Sequence, residues 1–219
     1  MKQSGTIDNI KSINELEARL LAIDKIGATI IIKNETEKSS PFTCIENIVV
    51  PALQNIGLKW EIGKASLSQV YMSGKICENI IDSIIIDHGG LPEHSSRLGM
   101  AVLEDHHTLG KRIVISILKS GGHSVKDYGH GLTVNQLAKK VLDDDIDILL
   151  ISTLMLPAAL RTREAIKIIK KERPDIRIIV GGAPYLFDDK LWKDVGADAC
   201  GHTASESLLI VNSMLKEAI

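Results

Sequence analysis

Aromatic side chains are scarce in this sequence, at 3% of 219 residues. Any core must therefore be built from Ile, Leu, Val and Ala. No basic excess exists: Lys and Arg number 26 against 28 Asp and Glu, a formal charge of −2. Without surplus cations to neutralise phosphates, nucleic acid is excluded as the main partner. Cysteine is limited to Cys44, Cys77 and Cys200, an odd count with no CxxC spacing. That argues against a disulfide framework or a zinc site and fits reduced thiols in a cytoplasm. The opening residues carry no apolar signal-peptide segment. The apolar runs, such as Ile148–Ser152, are too short to span a membrane.

What is present is a 44% hydrophobic complement, enough for one large domain or two small ones. Two halves read differently. From Ile13 to about Asp87 apolar residues recur at three- and four-residue steps, which predicts helices. These break at Glu37–Pro41, resume from Cys44 to Leu58, pass a loop at Trp60–Lys64, and end in a helix over Leu67–Ile86. Gly89–Ser96 has linker composition. The expected division is a helical cap domain over residues 1–90 and a second domain over 91–219.

The second half alternates strands and helices. Strands are expected at Arg97–Leu103, His123–Tyr128, Ile146–Ser152, Ile176–Val180 and Ala197–Cys200. Helices are expected at Leu109–Ser120, Thr133–Asp143, Arg161–Arg173, Asp188–Val195 and Ser205–Ala218. This alternation predicts an α/β fold with a doubly wound, Rossmann-like or flavodoxin-like, five-stranded parallel sheet. Its ligand crevice lies at the carboxyl ends of the strands.

Three motifs fall at those ends. Asp105-His106-His107-Thr108-Leu109-Gly110 follows the first strand, Ser152-Thr153-Leu154 ends the third, and Gly181-Gly182-Ala183-Pro184 ends the fourth. Ala204, after the last strand, completes the candidate set. A histidine two residues after an aspartate can offer one ring nitrogen to a metal while the other donates to the carboxylate. Gly110 lets a bulky group approach the backbone. Ser152 offers a hydroxyl, Leu154 a wall, and the paired glycines remove side chains so that a flat group can slide between strands. One metal ligand plus a long slot differs from a zinc site held by three or four protein ligands.

Asp-x-His-x-x-Gly, Ser-x-Leu and Gly-Gly, with 41 and 26 residues between them, resemble the cobalamin-binding domains of methionine synthase, the corrinoid methyl-carrier proteins and the base-off mutases. Gly121–Gly129 and Val180–Pro184 support the likeness, and Val50–Leu53 with Gly57–Lys64 resemble the family's cap. The resemblance covers roughly residues 42–219; residues 1–41 match nothing recognisable.

The resemblance implies a mechanism. Cobalamin or a related corrinoid is bound base-off, its dimethylbenzimidazole tail in the slot and His107 as lower ligand to cobalt. Asp105 tunes His107, Ser152 and Leu154 contact the tail, and Gly181 and Gly182 admit it. The cobalt cycles between Co(I) and methyl-Co(III). The protein then accepts a methyl group from a substrate-specific methyltransferase and passes it to a second one using tetrahydrofolate or coenzyme M. A reductive activase maintains the cobalt. Such a subunit shows no turnover alone, and neither nucleic acid nor a membrane is a partner. The sequence departs from the pattern at Glu104, Thr108 and Ala158. Those positions usually hold Gly, an acid and a hydroxyl residue.

Other histidines read more plainly. His106 reads as a solvent-facing neighbour within the binding loop. His88, His94, His123, His130 and His202 read as surface or turn residues, with His130 and His202 near the crevice by topology. The acidic run Asp143–Asp147 reads as a solvated helix end at the opposite end of the sheet. Two other functions compete: a cobalamin sensor or storage module, and a phosphoesterase of the Asp-His-His type. The latter requires an upstream Asp-x-Asp that residues 1–104 lack.

Overall fold

The computed structural model describes residues 2–87 and 97–216. The expected linker at Gly89–Ser96, the expected boundary at residue 90, and His88 and His94 lie outside them. So does the expected helix end at Ala218. The described chain falls into two compact units. One holds the helices up to Asp87 together with Ser116–His123; the other holds the sheet and its remaining helices.

The helical unit contains α1 (Lys2–Leu21), α2 (Lys25–Lys38), α3 (Pro41–Cys44), α4 (Val50–Glu61) and α5 (Leu67–Asp87). The periodicity from Ile13 through Thr36 looked continuous, but the chain turns between α1 and α2. Ile23 takes a left-handed conformation (φ 58°), and the Asp24 carboxylate caps α2 by accepting from the Gly27 N–H at 2.9 Å. The cap supplies a partner for a helix-end N–H, which overrides the apolar pattern. Trp60, expected in a loop, lies in the last turn of α4. A π-helical turn at Ile45–Val49 joins α3 to α4. It sits just before Pro51, which has no N–H to continue an α-helical ladder. Ser66 and Gln69 form a reciprocal cap at the head of α5. Leu16, Leu20, Ile32, Leu53, Ile56 and Ile81 make an aliphatic core.

Two buried acids in this unit are fully partnered. Glu17 accepts from Asn55 and Lys59. Glu78, 5% exposed, accepts from Lys75 at 2.7 Å, Ser116 at 2.9 Å and Lys119 at 3.2 Å. Burial alone would raise the Glu78 carboxyl, yet these donors hold it below the ordinary glutamate range.

In the other unit the strands are β1 (Leu98–Leu103), β2 (Val125–Leu132), β3 (Ile148–Ser152), β4 (Arg177–Gly181) and β5 (Ala199–Gly201). All pair in parallel in the order β2-β1-β3-β4-β5. The helices are α6 (Leu109–Ser120), whose residues from Ser116 onward group with the helical unit, α7 (Val134–Leu142), α8 (Leu156–Glu172), α9 (Ala183–Phe187), α10 (Leu191–Asp194) and α11 (Ala204–Lys216). The α/β class and the parallel five-stranded sheet agree with the sequence. The strand order is that of flavodoxin-like sheets, with the switch point between β1 and β3. Leu149, Ile151, Ile178 and Val180 pack into one core cluster with α7 and α8 residues. The alternate residues Ile148, Leu150 and Ile179 are buried too, so the strands read as unbroken apolar runs.

Several element bounds differ from expectation. β2 continues beyond Tyr128 to Leu132, through an irregular register against β1 that Gly129 and Gly131 permit with positive φ. α8 begins at Leu156, not Arg161, because Pro157 suits a helix's first turn. The helix expected at Asp188–Val195 is the shorter α10, Leu191–Asp194, and α9 at Ala183–Phe187 precedes it as a further short helix. The acidic run is not merely solvated. Asp145 and Asp147 both pair with Arg97, and Asp144 pairs with Lys126. The three cysteines are buried and unpaired. Among the described residues no helix is long and apolar enough to cross a membrane.

Two outcomes follow for stability. Glu78→Gln costs about 1–2 kcal/mol near neutral pH, because two lysines lose their buried partner. The folded Glu78 carboxyl lies below its unfolded value, so its contribution is complete above the ordinary glutamate value of 4.5 and disappears as pH falls through the folded value. Urea unfolding at several pH values should show the wild-type advantage shrinking on acidification. Gly182 has φ 119°, and an added Cβ would collide with the Thr153 carbonyl oxygen. Gly182→Ala should therefore lower stability by at least about 2 kcal/mol in the same assay.

Candidate functional site

β1 ends at buried Leu103, and the chain reverses at Glu104, which adopts a left-handed φ of 44°. Its N–H donates to the Leu132 carbonyl at 2.9 Å. The reversal sends the next side chain inward. Asp105 is 4% exposed, and its carboxylate receives four donors. Oδ1 accepts from the His107 N–H at 3.1 Å and from His107 Nδ1 at 2.5 Å. Oδ2 accepts from the backbone N–H groups of Leu154 at 2.8 Å and Met155 at 3.1 Å. Burial opposes ionisation, but the His107 ring and the three backbone donors outweigh it and hold the Asp105 carboxyl far below the usual range.

That geometry sets the chemistry of His107. An ionised carboxylate only accepts, so Nδ1 is the nitrogen that donates to it and Nε2 is the nitrogen left over. The side chain is 59% exposed. An imidazole tied to a carboxylate through Nδ1 leaves Nε2 as the ring nitrogen that could take a metal from one side. Its neighbour is differently engaged. His106 stands edge-on to His130, with Nδ1 atoms 3.2 Å apart. The ring lies over Gly131, where a Cβ would collide with it. The Gly131 N–H also donates to the Asp105 carbonyl at 2.8 Å. His130 thus belongs to the wall of the loop rather than to an idle turn.

The remaining candidates sit around this loop at the strand ends. Thr108 is half-buried and its carbonyl accepts the Arg112 N–H, starting α6. Leu109 is exposed, and in front of Gly110 only the Ser152 hydroxyl, 3.8 Å from a notional Cβ, is close. Space for a bulky group therefore exists there. Leu154, Met155, Leu156 and Leu160 are also exposed, an apolar rim beside the imidazole. Ala183 and Ala204 are half-buried first residues of α9 and α11. Gly181 and Gly182 answer to a steric demand of the protein itself. Their missing side chains make room for protein backbone: a Cβ at Gly181 would lie 2.7 Å from the Gly201 carbonyl oxygen, and Gly182 abuts that of Thr153.

Sequence reasoning left several members of this site unassigned. Lys111 is buried, donating to Asp127 Oδ1 at 2.5 Å and to the Gly129 carbonyl at 3.3 Å. Arg161, on α8, binds Glu104 with two hydrogen bonds of 3.2 Å. Nothing local marks that pair, since its members lie 57 positions apart. Among the described residues no group of three His, Cys, Asp or Glu is gathered to hold a metal ion. One imidazole facing an open apolar rim suits a metal that arrives with its own equatorial ligands. The donor set therefore fits a corrinoid.

The comparisons agree with this geometry. A family described as "B12 binding domain" matches residues 98–210, and a second family of the same description matches residues 12–85. The likeness thus begins well before residue 42, in helices whose amphipathic pattern carries no recognisable motif. The dimethylamine corrinoid protein 1 of Methanosarcina mazei is 27% identical over 210 residues, covering 93% of this chain and 95% of that protein. A cobalamin-binding protein from Desulfitobacterium hafniense superposes with a TM-score of 0.77 at 20% identity, covering 92% of this chain and 97% of the other. The methanol:cobalamin methyltransferase complex MtaBC from Methanosarcina barkeri gives 0.68 at 16% identity, covering 94% and 80%. The chain belongs to the B12-binding-domain family, and its cofactor is cobalamin or a related corrinoid.

Proposed function

We propose that this protein is a corrinoid methyl carrier that holds its cofactor base-off, with His107 Nε2 as the lower ligand to cobalt. The carrying observation is the His107–Asp105 pair, one ring nitrogen 2.5 Å from a buried carboxylate and the ring half-exposed. The cobalt supplies the nucleophile and the methyl-carrying bond; the protein supplies binding, orientation and electrostatics. Asp105 holds the Nδ1 proton and so keeps electron density on Nε2. Ser152 and Leu154, with Ala183 and Ala204, would contact the displaced tail. Leu109, Met155, Leu156 and Leu160, all exposed, would offer apolar surface to the macrocycle and exclude water from it.

The names of the relatives support the carrier role. Proteins similar over nearly the whole chain are corrinoid proteins named for dimethylamine and monomethylamine, and a similar fold occurs in a methyltransferase complex. A partner methyltransferase for a small methylated substrate loads the methyl group. A second, using tetrahydrofolate or coenzyme M, removes it, and a reductive activase recovers cobalt that has lost its reduced state.

Reconstitution with hydroxocobalamin should give a base-off, histidine-on absorption spectrum. His107→Ala should lose the histidine-on features while the apoprotein keeps its thermal midpoint. Base-on cobalamin on the wild type, or an unchanged spectrum in the variant, defeats the ligand assignment. Asp105→Asn reverses the polarity of one of the two acceptor oxygens. It should weaken hydroxocobalamin binding by about 10–100-fold and lower stability by about 3 kcal/mol, measured by spectroscopic titration and urea unfolding.

A further inference from the structure

Glu104 is an oddity of this loop. It is one of two non-glycine residues with positive φ among the described residues, the other being Ile23 in the turn between α1 and α2. A side chain in the left-handed region is disfavoured by its own Cβ and persists only when surroundings hold it. Here the holder is visible. Arg161 Nε donates to Glu104 Oε2 and Nη2 to Oε1, both at 3.2 Å, a two-pronged fork. The guanidinium is itself oriented by Glu164, 2.9 Å from its Nη1. Its backbone is anchored too: Ala158, Ala159, Thr162 and Ala165 of the same helix are buried.

An isolated exposed ion pair contributes little, and this one is partly exposed. Its position gives it another role. Glu104 is the left-handed bend directly before buried Asp105, and Asp105 is the group that holds His107. Both acids are gripped by one segment: Asp105 by the Leu154 and Met155 N–H groups just before α8, Glu104 by Arg161 within α8. Releasing Glu104 lets the backbone relax toward an extended conformation, and the Asp105 carboxylate then leaves Nδ1 of His107 for part of the time.

We propose that Arg161 is a positioning residue for His107, acting through the left-handed Glu104 to keep Asp105 on the imidazole. It rests on the reading of His107 as the cobalt ligand only for its effect on cofactor binding; the effect on the imidazole is a property of the protein alone.

The test uses the full chain labelled with 15N-histidine. In the apoprotein His107 should show one tautomer, with the proton on Nδ1 and slow exchange of that proton. In Arg161→Ala the second tautomer should appear and the Nδ1 proton exchange faster, while the thermal midpoint stays near wild type. Hydroxocobalamin should dissociate about tenfold more readily. Arg161→Lys, a point charge without the fork, should fall between. Glu104→Gly with Arg161→Ala should restore both readouts, because glycine needs no clamp to stay left-handed. A wild-type tautomer and affinity in Arg161→Ala, or a double variant as impaired as the single one, overturns the proposal. If His107→Ala leaves cobalamin binding unchanged while Arg161→Ala still shifts the tautomer, the ligand reading fails and the positioning role stands.

Discussion

The Asp105 carboxylate is the point on which the site turns. It lies almost wholly out of water, ionised, with four N–H donors on its two oxygens. A buried charge without such partners would cost several kcal/mol, so the donors and the acid stabilise one another or not at all. Two donors come from the turn after β1 and two from the turn after β3, the strands on either side of the switch point. One side chain thereby joins the two loops that any ligand in the crevice must touch. It also dictates which nitrogen of His107 carries hydrogen.

The rest of the loop follows from that anchor. Consecutive residues reach in different directions: Glu104 to Arg161, Asp105 to the head of α8, His106 to His130. With its three predecessors tied down, His107 stands outward with its distal nitrogen free for a metal. Leu154, Leu156 and Leu160 of the neighbouring segment are exposed, and clustered apolar surface of that kind marks a binding site. A single imidazole at the loop suits a metal group that brings its own equatorial ligands. It is equally consistent with the lack, among the described residues, of any three-residue cluster of metal-binding side chains.

Much of this was readable from the residues in order. Three-to-four-residue periodicity placed the helices and short unbroken apolar runs placed the parallel strands, because burial on one or both faces leaves its mark on consecutive positions. The motif Asp105-x-His107-x-x-Gly110 named the imidazole and its carboxylate because both belong to one short loop. Backbone caps were harder. Asp24 ends an apolar pattern that continues past it, and Pro157 starts α8 one turn before its amphipathic stripe begins. The glycine pair carries a further constraint that the sequence did not show: neighbouring strand and loop carbonyls press on Gly181 and Gly182, an arrangement set by residues 20 or more positions away.

The chain by itself determined the fold class, the family and the pairing of His107 with Asp105, since each depends on residue types at short, regular intervals. Only the tertiary structure decided what holds that histidine in place. The Leu154 and Met155 donors, the Arg161 fork and the His130 partner are brought to the loop by parallel crossovers of about 25–60 residues. Over such distances covalent order carries no information about contact. The left-handed turn at Glu104 is of the same kind: glutamate does not favour it, and its surroundings impose it.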